Sequence, residues 1–154
     1  MSNRYFKGRA SRREILGAKV DKDTAALPQG TVDPLFNILN GRVILTSLIG
    51  ECTTQIEGQT TNLKIQANPT TGTTADICAD LNTSGDEVGT LYGITGRFDA
   101  ALVGTNAGAT VIISSPVILQ IGTVDLETGE SSTGNIKWVA TYIPLDKDGE
   151  MTPA

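Results

Sequence analysis

Histidine is absent from all 154 residues. The commonest general base, triad member and mixed-site zinc ligand is therefore missing, which excludes histidine-based nucleophilic catalysis and Cys/His zinc centres. Aromatic residues make up only 5%, and no strand-like stretch interleaves them with basic residues as a base-stacking platform would need. Charged residues are 19%, a low share for a water-exposed chain. No apolar run reaches the roughly 18 to 20 residues of a helical membrane span. The basic N-terminus is not followed by the apolar core of a signal peptide, so a cytoplasmic chain is expected. Cys52 and Cys78 fit no zinc spacing and read as small buried thiols. A disulfide between them stays open at this point, though a cytosolic setting argues against it.

Other chemistry is equally sparse. The segments from Gly89 to Gly96 and from Gly104 to Gly108 lack the Gly-Lys-Ser/Thr ending of a phosphate loop, and read as turns and bulges. Asp146, Asp148 and Glu150 resemble the centre of a calcium loop, but the first ligand would fall on Pro144 and the closing Glu past the end of the sequence. Asp76, Asp80, Asp86 and Glu87 could supply paired glycosidase carboxylates, and could equally be a solvated face. The expectation is a protein that is not an enzyme and uses no cofactor and no metal.

What is present is the material of strands. Seventeen glycines and many threonines suit short strands separated by turns. The stretch from Asp33 to Ile56 enters the folded body. Leu35 to Leu39 reads as a strand turning at Asn40-Gly41 into Val43 to Ile49, or else as a short helix capped by Asp33 and Pro34. Leu63, Ile65 and Ala67 alternate with polar residues as one half-buried strand. Further strands are expected over 87–95, 98–103, 111–115, 117–124 and 136–143. Trp138, Ala140 and Tyr142 would face one way, with Trp138 in the core. The residues from Asp125 to Gly134 read as an acidic loop, and those from Leu145 as an exposed tail. Eight or nine strands, without long helices or βαβ spacing, predict an all-β fold. A jelly-roll-like β-sandwich is preferred over a small Greek-key barrel. Val43 to Ile49 is apolar at nearly every position, so both faces are expected to be covered. Val43, Leu45, Leu48 and Ile49 are the expected oligomer interface.

The charge is unevenly placed. Residues 1–20 carry six bases against one acid, whereas residues 21–154 carry six bases against sixteen acids. Residues 1–32 read as a basic arm and linker, and 33–154 as the sandwich domain. Ser11 to Glu14 fits a capping box for a helix of about two turns, too short to be stable alone. Arg4, Tyr5, Phe6, Lys7, Arg9, Arg12 and Arg13 are the expected partner-binding residues, ordering on an acidic protein surface. Binding of nucleic acid by the arm is the weaker expectation, because the body is acidic.

Three stretches carry a resemblance: Leu35 to Thr54, Asn62 to Pro69, and Gly134 to Asp146. Together they resemble small structural proteins of tailed bacteriophages, and are similar to capsid cement (decoration) proteins. The resemblance is one of overall pattern and includes no catalytic motif. It implies a β-rich, often trimeric protein on the outer surface of the phage head, bracing neighbouring major capsid subunits. A homotrimer bound to the major capsid protein, localised to the virion and assembled in the bacterial cytoplasm, is what the resemblance implies. A tail or neck role, or a host-surface binding module, is the alternative.

Overall fold

The computed structural model describes residues 17–154. The expected arm, its Ser11–Glu14 capping box and the seven expected partner-binding residues lie outside them. Twelve strands follow: β1 (Ala18–Ala26), β2 (Val32–Leu39), β3 (Val43–Thr54), β4 (Asn62–Pro69), β5 (Ala75–Asp76), β6 (Leu81–Asn82), β7 (Leu91–Gly93), β8 (Val103–Thr105), β9 (Val117–Leu119), β10 (Gly122–Thr128), β11 (Asn135–Pro144) and β12 (Glu150–Pro153). They form two antiparallel sheets. Sheet A runs β1-β11-β3-β7-β8, with β9 also on β3; sheet B runs β12-β2-β10-β4-β5, with β6 also on β4.

The connectivity is that of a jelly roll. One long ribbon pairs β1 with β11, β2 with β10, β3 with β7 and β4 with β5. Successive pairs fall alternately in sheet A and sheet B, so the ribbon is rolled into two Greek keys. Neither sheet closes on itself, and the barrel alternative is set aside. The core lies between the sheets. Phe36, Ile38, Leu63, Ile65, Val124 and Leu126 from sheet B meet Leu45, Leu48, Cys52, Tyr92, Trp138 and Ala140 from sheet A.

Several local readings are corrected. Asp33 to Leu39 is extended, as preferred over the helix, but Asn40-Gly41 does not close a hairpin. β2 hydrogen-bonds with β10 and β3 with β11, so the turn is a corner between sheets. Asn40 has φ 62° while Gly41 has no positive φ, unlike a type I′ turn, which needs both. Gly41 is required by space instead: a Cβ there would lie 2.8 Å from the Asp146 Cβ. The boundary of the sandwich also moves. Ala18–Ala26, read as arm and linker, form the edge strand β1, whose Ala18 and Val20 pack on the core. The expected strand over 117–124 breaks into β9 and β10, which belong to different sheets, and β10 continues through the supposed acidic loop to Thr128. In the supposed tail, β12 pairs with β2 and buries Met151. Residues 98–102 and 111–115 are not strands, and Phe98 is exposed.

Candidate functional site

The outer face of sheet A is the first feature built by this topology. β3 carries a bulge: Leu45 pairs with Tyr142 and Ser47 with Thr141, leaving Thr46 as the extra residue. A bulge shifts the alternation by one. Val43 and Leu45 point inward before it, and Leu48, Gly50 and Cys52 after it. The near-continuous apolar run therefore reflects a change of parity within one strand. Val43, Leu45 and Leu48 are at most 1% exposed within this chain's own core. They have no surface to offer another copy, which corrects their assignment to an oligomer interface. Ile49 alone of the four lies on the outer face, half-buried.

Other residues supply that face. Ile143, Ile44 and Ile118 stand abreast on β11, β3 and β9, each directly opposite the next. Ile118 is 60% exposed and Ile143 36%. Farther along, Val139 stands opposite Ile49. Between these rows the Thr141 hydroxyl lies 2.7 Å from that of Thr46 and 2.8 Å from that of Ser47. The cluster meets part of its own hydrogen-bonding demand. Gly93 pairs with Ile49 and has no room for a Cβ, because the Val111 carbonyl oxygen would be 2.4 Å away. The segment holding exposed Val111 and Ile112 thus crosses the same face.

The charges of this face nearly balance: Lys19 pairs with Asp21 at 2.8 Å, Lys137 stands opposite Glu51, and the exposed Asp23 of β1 is left over. The described residues as a whole hold seven bases against sixteen acids. The outer face of sheet B is acidic by contrast: Asp76 and Glu127 flank Lys64 at 3.3 and 3.5 Å, with Asp125 on the same strand face.

The second feature is a groove at the open edge of the sandwich. Trp138 sits on β11 between Gly50 of β3 and Lys22 of β1. The six-membered ring covers Gly50 so closely that a Cβ there would lie 2.8 Å from it. The Tyr92 ring lies 6.4 Å from the Trp138 ring, centroid to centroid. The indole N–H is buried and has no hydrogen-bond partner among the described residues. Beside Trp138, β1 bulges between Lys22 and Ala25. The small side chains of Ala25 and Ala26 leave a hollow of about 270 Å³, walled also by Pro34, Leu126 and Ile136 and bordered by Asp33. Lys22 donates a hydrogen bond to the Ala154 carbonyl beside it, whereas Asp33 has no polar partner among the described residues. The sequence placed Trp138 in the core, where it is. It gave no sign of the groove except two consecutive alanines.

Three of the four acids singled out as a hydrolase option are engaged separately. Asp76 meets Lys64, Glu87 accepts a hydrogen bond from Asn106 at 3.0 Å, and Asp86 accepts one from the Tyr92 hydroxyl at 2.8 Å. Burial raises the Asp86 carboxyl above its ordinary value, opposed by the Tyr92 hydrogen bond. Burial, and then Asp86 itself, push the Tyr92 hydroxyl well up. Cys52 and Cys78 are free and buried, and burial pushes the Cys78 thiol up to about 11. Such a thiol is protonated at neutral pH and a poor nucleophile.

Asp146, at the centre of the calcium-like run, serves a structural clasp. It accepts hydrogen bonds from the Arg42 backbone N–H (2.8 Å), Nε (3.0 Å) and Nη2 (2.9 Å). These hold its carboxyl down at about 2, from an ordinary 3.8, with the Arg42 side-chain hydrogen bond the largest cause. A depressed carboxyl stabilises the fold above its unfolded value, and that contribution disappears as pH falls through the folded one. Asp146→Asn is expected to lower the melting temperature at neutral pH. The gap to the unsubstituted protein should close as pH falls from 3.8 towards about 2. A gap that stays constant across that window would remove the clasp from the account.

The fold and its surfaces define a jelly-roll β-sandwich that presents one largely aliphatic sheet face on an acidic body. No protein-family model matches the sequence, and no curated protein or solved structure matches it either.

Proposed function

We propose that this is a non-enzymatic structural protein of a tailed-phage virion, a capsid cement protein that binds the outer surface of the major capsid shell as a homotrimer. The observation that carries the reading is the outer face of sheet A. A row of three isoleucines and a Val139–Ile49 pair, on a face with two bases against three acids in an acidic body, suits burial against protein. Like-charged bodies repel one another everywhere except at such a face. The jelly roll supplies a rigid, two-sheet support for it. The resemblance of Leu35 to Thr54, Asn62 to Pro69 and Gly134 to Asp146 to cement proteins supplies the partner, the major capsid protein. Ile44, Ile49, Ile118, Val139 and Ile143 make the subunit contacts in this reading. Arg4, Lys7, Arg9, Arg12 and Arg13 meet carboxylates on the capsid.

The experiment is co-sedimentation of the protein with isolated capsids, with and without residues 1–16. The full chain is expected to saturate the shell at hundreds of copies, and the shortened chain to bind more weakly, with a shallower salt dependence. A handful of copies per particle would move the protein to a neck or tail. Equal binding by both chains would overturn the role given to the basic residues.

A further inference from the structure

We propose that the free edge of β1 is a docking site for β1 of a second copy of this chain, the two strands pairing antiparallel about Val20 so that Lys19 of each copy faces Asp21 of the other.

The other edges of the two sheets are short. β8 and β9 have three residues each and β5 and β6 two each. β12 has four and ends in Pro153, which has no N–H to donate. β1 has nine residues and lies last in sheet A, with β11 on one side. Among the described residues, no backbone group hydrogen-bonds to its other side. A long strand edge of this kind is a template for a further strand, unless proline, a bulge or charge blocks it. β1 contains no proline, and its bulge comes only after Lys22. Ala18 to Lys22 therefore form a regular run, in unbroken register with Tyr142 to Trp138. The charges of that run are the remaining guard, and they are of both signs.

The run selects its own register. A contact between two identical strands is self-complementary about a twofold axis. In a paired sheet, residues directly opposite one another share a face, so an axis perpendicular to the sheet must pass between a residue and its own counterpart. Centred on Val20, the pairing uses all five regular residues. Lys19 then faces Asp21 of the partner subunit on either side of the axis, and valine meets valine at it. Centred on Lys19, two lysines face one another. Centred on Asp21, two aspartates do, and centred on Lys22, Asp21 faces Asp23 twice. Opposite charges and β-branched pairs support a cross-strand pairing, whereas like charges directly opposite oppose it. Lys19 and Asp21 already pair within one chain, and both side chains are exposed enough to exchange partners across the axis. The product is sheet A continued through two copies, with both outer faces on the same side. The contact goes beyond the capsid reading and uses none of the residues given to it. Where the isoleucine faces hold trimers, β1 joins one trimer to the next.

Val20→Cys places two thiols across the axis, where the Cα atoms of directly opposite residues stand about 4.5–5.5 Å apart. A disulfide spans about 4.4–6.8 Å between Cα atoms. Asp23→Cys is the control, because its two copies would lie about 20 Å apart along the paired strands. Each full-length variant is oxidised mildly at high micromolar concentration and run on a non-reducing gel. The unsubstituted protein, whose Cys52 and Cys78 are buried, is the blank. Val20→Cys is expected to give several-fold more cross-linked dimer than Asp23→Cys or the blank. Adding Lys19→Asp alone, or Asp21→Lys alone, should cut that yield several-fold. Mixing the two charge-reversed proteins should restore it, since each supplies the charge that the other lacks, and so should both reversals in one chain. Circular dichroism confirms that each variant keeps its sheet. Equal cross-linking of Val20→Cys and Asp23→Cys overturns the pairing, and a yield that the single reversals leave unchanged overturns its register. The gel reads the β1 contact alone, so its outcome is separate from that of capsid binding.

Discussion

Trp138→Ala is expected to destabilise the sandwich by about 3–5 kcal/mol, the usual cost of deleting a large aromatic from a core. Trp138 is 1% exposed and is the largest of the fully buried side chains. It fills the space that Gly50 leaves on the neighbouring strand and packs against Tyr92, so its removal leaves a cavity that β3 cannot collapse into without breaking its pairing with β11 and β7. The reciprocal change should also be severe. Gly50→Val would place a Cβ 2.8 Å from the indole and add two methyl groups, an overpacking cost of about 1–3 kcal/mol or more. Urea unfolding checks both: the midpoint should fall while the slope stays near its original value. Trp138→Phe should cost less than Trp138→Ala, and no hydrogen bond is lost with it among the described residues. A Trp138→Ala protein within about 0.5 kcal/mol of the original, the range of an ordinary surface change, would mean that the Gly50–Trp138 pairing is not as described.

If the protein forms the proposed homotrimer through the outer face of sheet A, Ile44→Asp is expected to dissociate it without unfolding the subunit. Ile44 occupies the middle of the isoleucine row, directly between Ile143 and Ile118. A charge there would be desolvated in any assembly that buries the face, at a cost of several kcal/mol. On the free subunit the same side chain is half-buried, and the effect on stability should be smaller than that of a change in the core. Leu45→Ala next to it makes the opposite prediction. Leu45 is 1% exposed inside the sandwich, so its truncation should cost about 2–5 kcal/mol of folding stability and leave the interface chemistry unchanged. Sedimentation at micromolar concentration, together with thermal unfolding, separates the two. A trimer that survives Ile44→Asp would place the subunit contact elsewhere. An unsubstituted protein that sediments as a monomer would remove the trimer altogether.

The contrast between Ile44 and Leu45 also shows how far the sequence can be read. The all-β class was legible because strand formers and turn formers alternate along the chain. The inward set of β11, Trp138, Ala140 and Tyr142, followed from simple alternation, since that strand runs 10 residues without changing phase on its inner face. β4 was legible for the same reason. In β3 the rule failed. Its apolar run gave no phase, and only the bulge at Thr46, set by pairing with β11, decides that Leu45 faces the core while Ile44 faces out. β1 was missed because an edge strand with polar residues at most positions buries too little to leave a pattern. β12 was missed because four residues with one buried side chain are shorter than any periodicity.

The sequence by itself determined the composition of strands and turns, the absence of histidine chemistry and the imbalance of charge between residues 1–20 and the rest. Those are local or additive properties, carried by each residue wherever it lies. Only the tertiary structure decided that Asn40-Gly41 is a corner between sheets, that the isoleucines of three separate strands form one face, and that Trp138 packs over Gly50 of the neighbouring strand. Each of these depends on which strands pair and in what register, and pairing is a contest among distant segments that no single segment can settle.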